Sequence, residues 1–391
     1  MHPQAKTLIS YLDTTHDSFD ARPFCEADAF VLSVASYVLF ENAPQFAKSN
    51  DPVTVREALM ATPKEKLSDL FWFNELAPEF ARALGCCPRY RTLKVSDAAH
   101  TLNDAGMIQF AAQCFHVPDG SLFLSFRGTD STIAGWEEDF TMVVLDTIPA
   151  QHVARAFTER MIGKWKPRAL RLGGHSKGGN LAFAAALMGS ARTQNTITAA
   201  YNFDGPGFKL AQVHSEAAAN IRDRCHKIIP TYSFFGQMFE DLVEPRTIVS
   251  TEHGIMQHMP FSWPLENDAL LPAAHTQFMS RVTETGVSSW LDRLTEEERV
   301  NFCGVLFGLM EYASRDGRID NLPQDLLAKA PAIVRLLMGE SKETQHYLLS
   351  ILVCLSEELA ESLRQALQSS FQGAVDETRQ ALMSLLPAKR P

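Results

Sequence analysis

Ala169-Leu170-Arg171-Leu172-Gly173-Gly174-His175-Ser176-Lys177-Gly178-Gly179-Asn180-Leu181-Ala182-Phe183-Ala184-Ala185-Ala186 is the stretch that decides the fold. An apolar run breaks into glycines, passes through one serine and opens at once onto an alanine-rich run. That is strand, tight turn and helix. A serine hydroxyl is a weak nucleophile and must stand clear of the sheet to reach a base. The strained turn between strand and helix does this, and its crowding leaves no space for side chains two positions either side. Gly174 and Gly178 meet that demand, and the helix that follows adds a dipole favourable to developing negative charge. A Gly-rich turn that only packs helix on strand is the plainer reading of the same glycines. The correct flanks on both sides favour Ser176 as a nucleophile.

Outward from this turn the chain alternates. Met107 to Val117 and Ser121 to Phe126 are rich in β-branched, aromatic and other apolar residues, and Pro118-Asp119-Gly120 between them predicts an antiparallel hairpin. A helix is expected over His152 to Trp165, a strand over Leu170 to Gly173 and a helix over Leu181 to Met188. A strand over Thr198 to Phe203, a helix over Glu216 to Arg224 and short strands at Lys227 to Ile229 and Thr247 to Val249 complete the series. Strands separated by helices predict an α/β core, a mainly parallel sheet with helices on both faces.

The flanks read differently. The first hundred residues look mostly helical, with segments at Ala29 to Phe40, Val53 to Met60 and Lys64 to Phe73 punctuated by Pro63 and Pro78. Beyond about residue 285 the apolar residues take helical spacing over Trp290 to Tyr312, Gln324 to Met338 and Gln345 to Leu367, before a loose tail at Pro387 to Pro391. The expected organisation is a domain over 1–284, with a helical part at 1–100, and an all-helical region over 285–391.

The bulk numbers narrow the class. The 391 residues are 46% hydrophobic and 21% charged, with a formal net charge of −10, which argues against a nucleic-acid partner. Seven cysteines are scattered without a C-x-x-C pair, so inert thiols in a reducing compartment are expected, with no metal or cofactor. The first residues lack a basic start followed by an apolar stretch. Ala29 to Phe40 falls short of the roughly 20 residues a bilayer span needs, so no transmembrane segment and a cytoplasmic location are expected.

An acyl-transfer site also needs oxyanion donors, a base and an acid. The main-chain amide of Lys177 follows the nucleophile directly, and Phe126-Arg127-Gly128-Thr129-Asp130 leaves an earlier strand, so Thr129 could add its amide and hydroxyl. A polar loop after a strand explains that segment as well. The Lys177 side chain reads either as a cation for an anionic substrate or as a solvated residue at a helix start. Of the twelve histidines, His175 lies inside the turn, and His214, His226, His253, His258 and His275 lie downstream. His258 sits in a loop after the last expected core strand, where a mobile base or merely a solvated histidine would sit. For the acid, Asp204 ends a strand in Asn202-Phe203-Asp204-Gly205-Pro206-Gly207, either as the acid or as a turn cap; Glu240 and Asp241 lie in a less regular stretch.

These residues resemble a known pattern. Phe126-Arg127-Gly128-Thr129 with Trp136-Glu137-Glu138-Asp139-Phe140 is similar to the oxyanion loop and lid of class 3 (fungal-type) lipases, and Gly174 to Asn180 is similar to their elbow. With Phe24-x-x-x-Asp28-Ala29-Phe30-x-Leu32-Ser33, the Asn202 to Gly207 segment, and Gln257-His258 before Ser262-Trp263, the chain resembles a bacterial lipase-like family catalogued as a domain of unknown function. The resemblance runs from about residue 8 to at least residue 310. It implies an α/β-hydrolase fold, Ser176 as nucleophile, His258 as base, Thr129 at the oxyanion position and a small-molecule or lipid ester as substrate. Ser131 to Trp136 would be a short lid or a wall of the acyl pocket.

One departure stands out. Class 3 lipases carry the acid just after the strand that matches Lys227 to Ile229, and here Pro230-Thr231-Tyr232-Ser233 offers no carboxylate. Asp204 supplies it from the preceding strand, or the site is a dyad, or activity is lost. The last option leads to a rival reading, a non-catalytic module that binds a protein partner through its C-terminal helices.

Overall fold

A computed structural model describes residues 6–273, except 47, 69, 71, 72, 74, 104–107, 131, 133, 134, 136, 137, 140, 143 and 144, together with 294–313, 329, 342, 344 and 345. The chain divides into two compact units, residues 1–130 with 145–288 and residues 131–144 with 289–391.

In the first unit eight strands form one sheet in sequence order. They are β1 (Val53–Thr54), β2 (Lys94–Asn103), β3 (Ile108–His116), β4 (Leu122–Phe126), β5 (Leu170–His175), β6 (Ile197–Phe203), β7 (Cys225–Pro230) and β8 (Arg246–Ile248). Neighbours from β1 to β4 run antiparallel, and β4 to β8 run parallel. The expected hairpin is β3–β4, with Gly120 at φ +80° in its turn.

Among the helices that accompany the sheet are α1 (Leu8–Thr14), α2 (Glu26–Ala35), α3 (Val55–Ala61), α4 (Ala77–Cys86), α5 (Pro149–Trp165) and α6 (Lys177–Leu187). Phe123 and Phe126 lie three apart on β4 and so point to opposite faces. Phe123 meets Phe24 beside α2, at 5.7 Å between ring centres, whereas Phe126 meets Phe157 of α5 at 6.3 Å. Helices therefore cover both faces, as in an α/β-hydrolase. Every residue of α6 is buried, which suits its alanines and glycines: a helix apolar all round belongs in a core.

Three expectations need correction. The first hundred residues carry strands as well as helices, β1 at Val53–Thr54 and the start of β2 at Lys94. A bulge between Ser96 and Ala99, with Asp97 at φ +50°, breaks the alternation by which such a strand would be recognised. The helix expected over Ala29 to Phe40 starts earlier, at Glu26, where Asp28 accepts from the Cys25 N–H at 2.9 Å. It stops at Ala35, since the Ser36 hydroxyl turns back to the Ser33 carbonyl at 2.7 Å and the Arg127 Nε takes the Ser36 carbonyl at 2.5 Å. The segment expected as a helix over Lys64 to Phe73 holds one 3₁₀ turn, Lys64–Lys66, and includes residues outside the description.

Past residue 290 the helix Glu296–Ala313 matches the first expected C-terminal segment. The segments Gln324 to Met338 and Gln345 to Leu367 and the tail lie outside the described residues but for scattered positions, as do His275 and most of Ser131 to Trp136. No helix among the described residues is long and apolar enough to cross a membrane.

Candidate active site

Parallel pairing brings the carboxyl ends of three strands together, where open α/β sheets bind ligands. Phe126 of β4 stands opposite Gly174 of β5, and His175 stands opposite Phe203 of β6. The residues that leave these strands are Arg127-Gly128-Thr129, Ser176 and Asp204.

Ser176 has φ 58° and ψ −135°, a conformation that costs an L-residue about 1–3 kcal/mol and persists only where the surroundings enforce it. The enforcement is steric. A Cβ on Gly174 would strike the Gly178 backbone, and one on Gly178 would strike the Phe126 carbonyl. The Ser176 N–H donates to the Phe203 carbonyl at 2.9 Å, and its own carbonyl accepts from Gly179 N–H at 2.8 Å. The nucleophile candidate thus sits half-buried on a rigid frame.

Asp204 also has a positive φ, 54°. Asn202 Oδ1 accepts from the Gly205 N–H at 2.7 Å and turns the chain just past β6. Asn180 Nδ2 holds the next turn through the Pro206 and Gly207 carbonyls, at 3.2 and 2.9 Å. The completely buried Asp204 carboxylate then reaches His258: Nδ1 and Oδ2 are 2.6 Å apart. Its other oxygen accepts from the Ser233 hydroxyl. Ser233 thus stands in the segment that lacks a carboxylate and donates to the one that comes from β6. Because Nδ1 faces a carboxylate it carries the ring proton, which leaves Nε2 of His258 as an acceptor. Among the described residues, no hydrogen bond joins that nitrogen to Ser176 Oγ.

The loop that carries His258 is anchored at three points. Gln257 Oε1 accepts from the Thr231 hydroxyl at 2.8 Å and the Tyr232 N–H at 2.9 Å. The Gln257 carbonyl accepts from Trp263 Nε1 at 2.6 Å, and the His258 carbonyl meets His175 Nε2 at 2.8 Å. The ring lies between His175 and Phe235, 4.5 and 4.7 Å from their centres.

The other candidates fall elsewhere. His214 and His253 are exposed. His226 stacks on Tyr201 at 5.0 Å, and burial holds it below the usual histidine range. Asp241 pairs with the buried Lys227, and Glu240 is exposed on a strand-like bridge to Phe208. His175 is fully buried, and burial, with the adjacent His258, holds its ring well below the usual range.

In the loop expected to carry an oxyanion donor, Arg127 is clamped by Glu41, at 2.8 and 2.9 Å, and by the Ser36 carbonyl. Burial alone would raise the Glu41 carboxyl, but the Arg127 charge and hydrogen bonds outweigh it and hold Glu41 low. Gly128 then passes so close to the elbow that a Cβ would lie 2.9 Å from the His175 carbonyl. Thr129 follows, half-buried. Lys177 opens α6. Its side chain corrects the solvated reading: it is 1% exposed and donates to Gln109 Oε1 at 3.2 Å. Tyr37, Ser233, Gln257 and Gln109 carry no motif of their own; of these, only Gln257 lies in a segment that carries the lipase-like resemblance. Among the described residues no group of three His, Cys, Asp or Glu side chains gathers as metal ligands do.

A family model described as Mbeg1-like matches residues 84–308, more than half of the chain. The chain belongs to the Mbeg1-like family. The Mbeg1-like match includes Thr129, Ser176, Lys177, Asp204 and His258, and the family agrees with the lipase-like resemblance in the sequence. No curated protein matches. Among solved structures, M37 lipase is 13% identical with a TM-score of 0.35, over 54% of this chain and 69% of its own. Lip2 lipase from Yarrowia lipolytica is 10% identical with a TM-score of 0.32, over 50% and 78%. A mutant form of MDLA from Penicillium cyclopium is 13% identical with a TM-score of 0.36, over 63% and 84%.

Proposed function

We propose that the chain is a serine hydrolase of esterase or lipase type that acts on a carboxylic ester through an acyl-enzyme at Ser176. The observation that carries this is the 2.6 Å contact between Asp204 and His258 beside the strained elbow. In the reaction, His258 Nε2 takes the Ser176 hydroxyl proton as Oγ attacks the ester carbonyl carbon. The main-chain N–H groups of Thr129 and Lys177 receive the charge that develops on the carbonyl oxygen. As the tetrahedral species collapses, the carbon–alkoxy bond breaks and His258 gives its proton to the leaving alcohol. Water then attacks the acyl-enzyme, His258 takes a proton from it, and the carboxylic acid leaves with Ser176 restored. Asp204 stays ionised and fixes the tautomer with the proton on Nδ1.

The same contact supports the enzyme reading over the non-catalytic module, whose ground was the lack of a carboxylate after β7. The proposal keeps the sequence division into a hydrolase domain over 1–284 and a helical region over 285–391. It also keeps a cytoplasmic setting. The test is turnover of p-nitrophenyl esters of graded acyl length by the full chain. Turnover above that of Ser176→Ala for at least one ester is expected; equal rates for every ester overturn the proposal.

A further inference from the structure

We propose that His175 is a positioning residue for the base: its Nε2 holds the main-chain carbonyl of His258 at 2.8 Å, and the Tyr37 hydroxyl backs its Nδ1 at 2.8 Å. The inference rests on the reading of His258 as the base.

The direction of each hydrogen bond follows from the acceptors. A carbonyl oxygen can only accept, so the His175 proton sits on Nε2. A second proton on Nδ1 would make a cation in a fully buried site next to another imidazole, and both features disfavour it. Nδ1 is therefore an acceptor and takes the Tyr37 O–H. The longer approach of that hydroxyl to the His175 carbonyl, 3.2 Å, is secondary. Among the described residues, the rings of Tyr37, His258 and Trp263 face it, the last with its centre 5.5 Å away. None of them is a carboxylate.

The chemistry proposed above makes no use of the His175 proton, yet this histidine stands next to the nucleophile and grips the backbone of the residue that must deprotonate it. A loop displacement at the His258 carbonyl moves its ring relative to Ser176 Oγ by a similar amount. Tyr37 also touches the oxyanion side, because a Cβ on Gly128 would collide with its hydroxyl. A single buried chain, Tyr37 to His175 to His258, thereby ties the segment after α2, the elbow and the base loop into one body.

The experiment uses the full chain and two readouts. Isotope-labelled histidine NMR should show His175 protonated at Nε2 and unchanged between about pH 5 and 8, where an ordinary histidine titrates. Labelling by a fluorophosphonate should slow on the order of 10²-fold in His175→Phe, the loss a misplaced group of about 1 Å brings. His175→Gln, whose amide nitrogen can occupy the Nε2 position, should recover most of that loss. Tyr37→Phe should slow labelling less. Equal labelling by wild type and His175→Phe overturns the proposal, as do a failure of His175→Gln to recover and a proton resident on Nδ1 in wild type. If wild type labels no faster than Ser176→Ala, the hydrolase reading has failed instead. The histidine spectrum then still decides the brace, since a titrating His175 would sink it alone.

Discussion

Asp204→Asn removes the charge of the proposed acid while nearly preserving its shape. The Ser233 hydroxyl donates to one carboxylate oxygen, and His258 Nδ1 lies 2.6 Å from the other. An amide oxygen suits the Ser233 side, so the amide NH₂ faces Nδ1. His258 must then accept at Nδ1 and carry its proton on Nε2, the nitrogen that should receive the Ser176 proton. A wrong tautomer of this kind lowers kcat about 10⁴-fold in a triad, which at 1.36 kcal/mol per decade is roughly 5.5 kcal/mol of barrier. The fold should lose less, about 1.5–3 kcal/mol for one charge-assisted hydrogen bond. The assay is the second-order rate of fluorophosphonate labelling alongside a urea melt, with Glu240→Gln as an exposed carboxylate control. If Asp204→Asn labels within threefold of wild type while Ser176→Ala does not label, the assignment of the acid is refuted.

Three further outcomes follow from the same contacts. Gly178→Ala would drive a methyl into the Phe126 carbonyl, so it should cost about 1–3 kcal/mol or more in a denaturant titration; an unchanged midpoint would show the elbow to be slack. Glu41 is held low by Arg127, so its contribution is present above its ordinary value of 4.5 and is lost as pH falls through its folded value. Wild type should therefore be more stable than Glu41→Gln at neutral pH, and the gap should close on acidification; a gap independent of pH contradicts this. His175 is also depressed, but for a base the unfolded chain then binds the extra proton as pH drops below its ordinary 6.5. Wild-type stability should fall there by about 1.4 kcal/mol per pH unit, a slope that His175→Gln removes and that urea melts at stepped pH would reveal.

The elbow was legible because its demand is local. Gly174, Ser176 and Gly178 act within five residues, and the strand and helix beside them carry their own patterns. The β3–β4 turn was legible for the same reason. Strand β2 was not, since the bulge at Asp97 removes its period, and the end of α2 depends on Arg127, which arrives from 91 residues away. Distance in sequence also hid the supports of the site. Tyr37 and His175 are 138 residues apart, and Ser233 reaches Asp204 across 29. Lys177 misled for another reason. A lysine at a helix start normally projects into water, whereas this one is buried and donates to Gln109 on β3. Asp204 is the instructive case: the sequence left it open between acid and turn cap, and the fold makes it both the end of a turn and the neighbour of His258.

The central claim is a nucleophile at Ser176, and adduct mapping tests it most directly. The full chain is treated with a fluorophosphonate, digested and sequenced by mass spectrometry. A single phosphonate on Ser176, absent from Ser176→Ala and strongly reduced in His258→Ala, is the result the account predicts. No adduct above the Ser176→Ala background, or an adduct that forms equally well without His258, would contradict it.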